Sequence, residues 1–270
     1  MRPDAKKVFY FNADANSLGG FIETPFQKIV PSQASVSLPP VGGHATTRTE
    51  AFNFEGIISC RSAYTRVTGT QVAPDGPWST TVTSVVEGLN ILEVITAERL
   101  VAQVSVEYPR DGRYLEISLA GTSFDHLRLG GCDAFPRLNP TLLCGAKARI
   151  DLPVFRQVGH QQADNMLSSP AANGDEFRWL HDRFKWMAGE LEEDECVLCS
   201  LVDGLDGAVP GTSFGHAVEI PDFGRIFLGE LLVCPGSVRL ALIRAELGCG
   251  VSGGVNASSL MANGGTVPPH

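Results

Sequence analysis

The feature that most constrains this chain is a two-residue alternation of apolar and polar side chains through residues 51–120. It is clearest in "WSTTVTSVV" and "RLVAQVSVEY", where Val alternates with Thr, Ser or Gln. Successive side chains of a strand point to opposite faces, so the pattern predicts strands with one buried face, typical of antiparallel sheets. In "YPRDGRYLEISLA", Pro109, Asp111 and Gly112 separate two such runs and predict a hairpin.

Glycine and proline are frequent, at 29 and 17 of 270 residues, which favours turns and short strands over long helices. One strong helix is predicted where apolar residues recur at helical spacing, at Phe177, Leu180, Phe184, Met187 and Leu191. The predicted fold is therefore mainly β, an antiparallel sandwich- or barrel-like arrangement of two related β units with an inserted helical segment. The alternative is an α+β fold.

The same patterns divide the chain into three parts. Residues 1–150 are predicted to form an antiparallel β unit that begins with a Pro/Ser-rich segment. Residues 151–200 form the helical insertion, and residues 201–270 form a second β unit packed on the first. The final stretch, "GCGVSGGVNASSLMANGGTVPPH", is small and polar, and we expect it to be loose.

Charge and hydropathy exclude several classes of partner. The net charge is −9, and Lys and Arg are nowhere clustered, so a nucleic-acid-binding protein is excluded. No stretch approaches the ~20 apolar residues of a membrane span, and the apolar run near the N-terminus is too short for a secretory signal. The seven scattered cysteines indicate mostly reduced thiols and a cytoplasmic protein, while export by a leaderless route stays open.

A short motif, Gly-Thr-Ser-Phe-x-His, occurs twice, at residues 121–126 and 211–216. The second copy also matches Gly-x-Ser-x-Gly, which would make Ser213 a hydrolase nucleophile assisted by His216 or His126. That elbow requires a buried strand before the serine and a helix after it, whereas Ser213 follows a Gly- and Pro-containing loop and precedes an alternating, strand-like run. We therefore favour a structural corner, in which the Phe enters the core and the His lies half-exposed.

Other candidate sites are weaker. Cys196 and Cys199 form Cys-x-x-Cys, but a zinc site needs two more ligands at suitable spacing, and the sequence offers no second Cys or His pair. The loop acids Asp203, Asp206 and Asp222 could bind a cation or a polar ligand, although turns beside glycine favour Asp in any case. We expect no cofactor.

The predicted helix carries aromatic residues on two faces, which suggests that one face meets the sheet and the other meets a second subunit. Phe177, Trp179 and Trp186 are the candidate interface residues. The sequence thus favours a non-catalytic, soluble, β-rich structural or binding protein whose partner is itself, in a homo-oligomer or larger assembly, or another protein. A hydrolase using Ser213 and a metal- or ligand-binding module are the alternatives.

Overall fold

A computed structural model describes residues 8–74, 76–110, 114–144, 146–149, 152–185 and 196–267. The described part of the chain is mainly β with a few short helices, which confirms the mainly β prediction over the α+β alternative. Two antiparallel sheets pack face to face, and they do not close into a barrel. Within the described ranges, none of the helices has the length and apolar character needed to cross a membrane.

The strands follow one another along the whole chain. In the first half they are β1 (Val8–Thr24), β2 (Lys28–Gln33), β3 (Val36–Ser37), β4 (Gly43–Thr49), β5 (Phe52–Phe54), β6 (Ile58–Cys60), β7 (Ser62–Gln71), β8 (Trp78–Ile91), β9 (Ile95–Tyr108), β10 (Tyr114–Ser118), β11 (Ser123–Asp125), β12 (Arg128–Leu129) and β13 (Cys132–Asp133). In the second half they are β14 (Phe135–Leu138), β15 (Ala146–Arg149), β16 (Val197–Ser200), β17 (Val202–Asp206), β18 (Thr212–Phe214), β19 (Ala217–Ile220), β20 (Gly224–Cys234), β21 (Ser237–Cys249) and β22 (Val251–Val267).

Three α-helices interrupt these strands: α1 (Pro140–Leu143), α2 (Pro153–Leu167) and α3 (Arg178–Phe184). Two short 3₁₀ turns, Pro170–Asn173 and Asp175–Phe177, connect α2 to α3. The strong helix predicted from the sequence is thus α3, while its predicted continuation through Met187 and Leu191 lies outside the described residues.

The first sheet has the order β18-β19-β20-β21-β22-β1-β2, with β16 beside β20 and β3 beside β1. The second sheet is centred on β8 and β9, with β7 and β4 on one side and β10, β11 and β12 on the other. β1 and β22 pack across β8, and their inward residues form the shared core. A separate two-stranded ribbon, β14–β17, lies outside both sheets.

The long central strands confirm the predictions made from alternation. β8 and β9 pair from Trp78–Tyr108 to Ile91–Ile95, and their residues alternate between buried and half-exposed. The predicted hairpin around residues 108–114 is confirmed by the pairing of β9 with β10. β20 and β21 form a second hairpin, whose turn contains the "CPGS" sequence.

The two ends of the chain form strands that the sequence analysis missed. The tail expected to be loose is β22, a 17-residue strand paired with β1 on one side and β21 on the other. Its small residues suit this place because large aromatic side chains fill the space beside them: a Cβ at Gly264 would collide with the Phe9 ring. Strand β1 likewise lies inside the sheet, between β2 and β22, although the sequence analysis described this part of the chain only as Pro/Ser-rich.

The sheets do not follow the predicted division at residues 150 and 200. The first sheet takes strands from both ends of the chain, because β1 pairs with β22 along nearly its whole length. The second sheet takes its strands from residues 43–149 alone. The division into a β unit at residues 1–150, a helical insertion at 151–200 and a second β unit packed on the first at 201–270 therefore stays a prediction.

Candidate functional site

The two copies of the repeated motif occupy different kinds of strand connection. In the second copy, β18 and β19 form a tight hairpin, with Gly215 and His216 as the turn between the paired residues Phe214 and Ala217. In the first copy, β11 continues into β12 along the edge of β9, and the chain bends at His126. Each copy thus lies at a turn or bend of the chain, and its interpretation as a purely structural corner stays a prediction.

Ser213 does not have the surroundings of an activated nucleophile. It lies exposed on β18 opposite Val218, and a strand follows the turn where a nucleophile elbow needs a helix. Among the described residues, neither ring nitrogen of His216 has a hydrogen-bond partner, so His216 is not bonded to the Ser213 hydroxyl.

His216 is buried, with 1% of its surface exposed, and the expectation of a half-exposed side chain was wrong. Its ring meets the Phe184 ring edge-on at a centroid distance of 5.5 Å, because α3 covers this end of the sheet. Burial lowers the pKa of His216 from 6.5 to about 4; the Glu230 and Asp203 carboxylates oppose this shift and the Arg183 guanidinium adds to it. The imidazole is therefore neutral at pH 7.

The structure places His126 and Ser213 in two different clefts. His126 is exposed and lines a largely apolar cleft of about 670 Å³ together with Phe124 and the exposed Phe135. Ser213 and His216 line a polar cleft of about 530 Å³. The ribbon β14–β17 contributes residues to both clefts, so each motif copy borders one side of the ribbon.

The polar cleft has a carboxylate held in place by amides. Asn139 caps helix α1 with its Oδ1, and its Nδ2 donates to both oxygens of Asp203 at 3.0 Å. The buried Gln162 of α2 donates to Asp203 Oδ1 at 2.9 Å. The backbone of Ser200 satisfies the rest of that amide, accepting from its Nε2 and donating to its Oε1. Asp203 is one of the three loop acids for which the sequence predicts that they could bind a ligand.

The predicted interface residues pack within the chain. The rings of Phe177 and Phe214 meet edge-on at 4.9 Å, and Trp179 meets Phe214 and Phe227 at 6.3 and 6.0 Å. Both side chains remain half-exposed, and Trp186 lies outside the described residues. Their predicted contact with another subunit stays a prediction.

The two cysteines proposed as metal ligands, Cys196 and Cys199, differ in their bonding: one is in a disulfide and the other is a free thiol. Cys196 forms a disulfide with Cys234, which links the start of β16 to the end of β20. Cys199 is fully buried, and burial raises the pKa of its thiol. Three positions separate the two residues along the chain, and alternation places positions of odd separation on opposite faces of a strand. In the described part of the chain, no group of three His, Cys, Asp or Glu side chains could hold a metal ion.

A surface that the sequence analysis did not identify lies on the hairpin β1–β2. Phe21 and Ile29 pair directly across the hairpin and are 44% and 74% exposed, and Phe26 in the turn is 42% exposed. On the other side of Phe21 the paired residue of β22 is Gly254, so no side chain covers the ring from there. We call Phe21, Phe26 and Ile29 the hairpin patch. Its sequence signal was weak, because apolar residues near prolines also occur in buried edge strands.

Comparison with known proteins adds a family but no activity. A family model described as a domain of unknown function, DUF8256, matches residues 9–234. Neither the curated proteins nor the solved structures contain a match to the chain.

Proposed function

The chain belongs to the DUF8256 family, and we propose that it is a non-catalytic, β-rich binding protein that associates with copies of itself through the hairpin β1–β2. The observation that carries this proposal is the hairpin patch. Large apolar side chains that lie together on a surface are typical of protein-protein contacts, whereas single exposed ones are common on any protein.

The position of the patch strengthens the proposal. β2 is the last strand of its sheet, and among the described strands that border this side it pairs with β1 alone. Its outer edge therefore presents backbone groups that another strand could bond. Pro31 is compatible with such an edge because it lacks an N–H that a central position would require.

A second copy is the partner that the charges favour. A two-fold interface must be self-complementary, since the same surface contributes from both subunits. Lys28 lies next to the patch, 5.3 Å from the centre of the Phe26 ring, and its Nζ bonds Glu55 at 2.7 Å. The surface thus carries both signs of charge beside the apolar residues, so a second copy can meet each charge with its opposite.

The hydrolase and metal-site alternatives have less support. A hydrolase would need Ser213 in contact with a base. The His216 ring, however, is buried without a hydrogen bond in the described chain, and His126 lines another cleft. A site built on Cys196 would need its thiolate, which the disulfide with Cys234 removes.

The test is the solution mass of the untagged protein, measured by light scattering across a concentration series that reaches roughly 100 μM. We expect a mass that is a multiple of the 28.8 kDa chain. The double variant Phe21→Ser, Ile29→Thr should return the mass to that of one chain. Val41→Thr with Val72→Thr is the matched control, because both residues are exposed and lie outside the hairpin patch.

Two results would overturn the proposal. One is a wild-type mass of a single chain at every concentration. The other is an assembly that the hairpin double variant leaves intact, which would direct attention back to Phe177 and Trp179.

A further inference from the structure

The polar cleft has the construction of a ligand site, and it is independent of the hairpin patch. One wall is a single face of α2, which contributes Val158, Gln161, Gln162, Asn165 and Met166 at helical spacing. Facing it are β17 and the residues at the end of β14, and the β18–β19 hairpin completes the lining with Ser213 and His216. Three separate parts of the fold therefore converge on one cleft.

The charged groups of the polar cleft differ in whether a group of opposite charge lies near them. Arg137 and Asp203 are the charged residues of the lining. Arg137 extends over Gly204, where a Cβ would collide with its guanidinium, and its Nη1 lies 3.7 Å from an oxygen of Asp206. A carboxylate thus already accompanies the guanidinium, whereas no described cation lies within 4 Å of Asp203.

His216 cannot supply the missing positive charge. It lines the cleft, but it is almost completely buried and neither of its ring nitrogens has a partner in the described chain. Burial keeps its pKa at about 4, so the imidazole is neutral at physiological pH. Among the described residues, the Asp203 charge is therefore held by the amide donors of Asn139 and Gln162.

The amide donors hold Asp203 in one orientation before any ligand arrives. Asn139 is fixed by its capping bond to Leu142 N, and Gln162 is fixed by both of its bonds to the Ser200 backbone. A carboxylate accepts about four hydrogen bonds, and these two amides supply three contacts. The Asp203 carboxylate can therefore accept a further hydrogen bond. Because the carboxylate is already held in one orientation, ligand binding would not have to order it first.

We propose that the polar cleft binds a small molecule bearing a primary ammonium group, with the ammonium paired to Asp203. An ammonium has three donors and no acceptor, so it needs further oxygens besides one carboxylate. The exposed side chains of Gln161, Asn165 and Ser213 supply amide and hydroxyl oxygens around the cleft. The protein's net charge of −9 also favours the approach of a cation.

Calorimetric titration of the full chain with matched pairs of probes tests the proposal. D-Glucosamine is compared with D-glucose, and 1,4-diaminobutane with 1,4-butanediol, so that within each pair the amine is the difference. We expect saturable binding of at least one amine, and at least about tenfold weaker binding of its neutral counterpart, since hydrogen bonds to charged groups are the stronger ones.

Two variants locate the binding. Asp203→Asn keeps the shape of the side chain and removes its charge, and we expect it to weaken amine binding by about tenfold or more. Ser213→Leu fills the cleft from an exposed position without touching the Asp203 contacts, and it should have a similar effect. Asp222→Asn is the control, because it makes the same change in net charge at a turn outside the cleft.

The outcomes are decisive in both directions. Amine-selective binding that Asp203→Asn and Ser213→Leu both weaken, and that Asp222→Asn retains, supports the proposal. Equal binding of an amine and its neutral counterpart, binding that survives Asp203→Asn, or no saturable binding of either amine overturns it. None of these results depends on the oligomeric state, so self-association can fail while this site stands.

Discussion

The two copies of the repeated motif show how a difference at one residue can give two nearly identical sequences different local structures. Both begin with a glycine in the left-handed region, Gly121 at φ 92° and Gly211 at φ 98°. They differ at the fifth position. Gly215 adopts φ 58° and closes a two-residue hairpin, whereas Asp125 stays in the strand and the next residue, His126, takes φ 51° instead. Glycine adopts a positive φ more readily than other residues. The turn in the second copy therefore comes one residue earlier than the bend in the first copy.

This one-residue shift of the turn determines which of the two histidines is buried and which is exposed. The earlier turn in the second copy places His216 under α3, where it is buried beside Phe184. The later bend in the first copy leaves His126 exposed on the rim of the apolar cleft. The same residue type, in the same motif, is therefore a core residue in one place and a surface residue in the other.

The largest expected difference concerns the phenylalanines. Phe214 is 2% exposed and contacts the rings of Phe177 and Trp179, while Phe124 is half-buried at the margin of the core. We expect Phe214→Ala to lower the free energy of unfolding by about 4 kcal/mol and Phe124→Ala by about 2 kcal/mol. Urea denaturation measures both, and equal losses would contradict the difference in burial.

Acid should destabilise the second copy through His216. The folded-state pKa of about 4 lies below the ordinary 6.5, so between these values the unfolded chain binds a proton that the folded chain does not. Stability is therefore complete above pH 6.5 and falls as the pH drops to 4, by about 3 kcal/mol in total. His216→Phe should remove this part of the pH dependence, measured as the unfolding free energy at several pH values. His126→Phe is the control that should retain it.

Substitutions of the first glycine in each motif copy should differ less in their effect on the free energy of unfolding. A Cβ at Gly211 would collide with the backbone carbonyl oxygen of Glu219, whereas the nearest atom to one at Gly121 is the side-chain Oε1 of Gln103, at 3.2 Å. A flexible side chain can move aside and a paired strand cannot. We expect Gly211→Ala to cost about 2 kcal/mol and Gly121→Ala about 1 kcal/mol, through its positive φ alone. Thermal unfolding of the two variants side by side would show whether the order is reversed.

The smallest expected effect is at the two serines. Ser213 is exposed and Ser123 is half-buried, and neither has the surroundings of a nucleophile. Ser213→Ala and Ser123→Ala should each change the unfolding free energy by no more than about 0.5 kcal/mol. A fluorophosphonate probe should label neither the wild type nor the two variants, because it reacts with activated serines. Labelling that disappears only in Ser213→Ala would establish a nucleophile and reverse our preference for a non-catalytic protein.

The fold class could be predicted from the sequence, but strand β22 of the first sheet could not. The Val- and Thr-rich alternation of β8 and β9 is a local signal, and it predicted both strands and their antiparallel pairing. β22 has no such signal, because its Gly, Ala and Ser residues also describe a loose tail. It is a strand because β1 and β21 bond it on both sides and because Phe9 fills the space that larger side chains would need.

The candidate sites were predicted less well than the fold. Ser213, His216 and Asp203 were all named from the sequence, but their convergence with α2 on one cleft was not. The role of Gln162 gave no sequence signal, since a buried glutamine looks like any polar residue of a helix until its partners are known. The hairpin patch was missed because exposure is decided by which strands pair, and not by the residues themselves.

By itself, the sequence determined the mainly β fold class and the central strands β8 and β9 with their antiparallel pairing. These follow from alternation, turn residues and short-range pairing, all of which act over a few residues. Only the tertiary structure decided that the two ends of the chain pair and that Cys196 forms its disulfide with Cys234. It also decided that Asp203 lines the polar cleft with no described cation within 4 Å of its carboxylate. These depend on segments far apart in the chain, and the stability of such contacts depends on how the whole core packs.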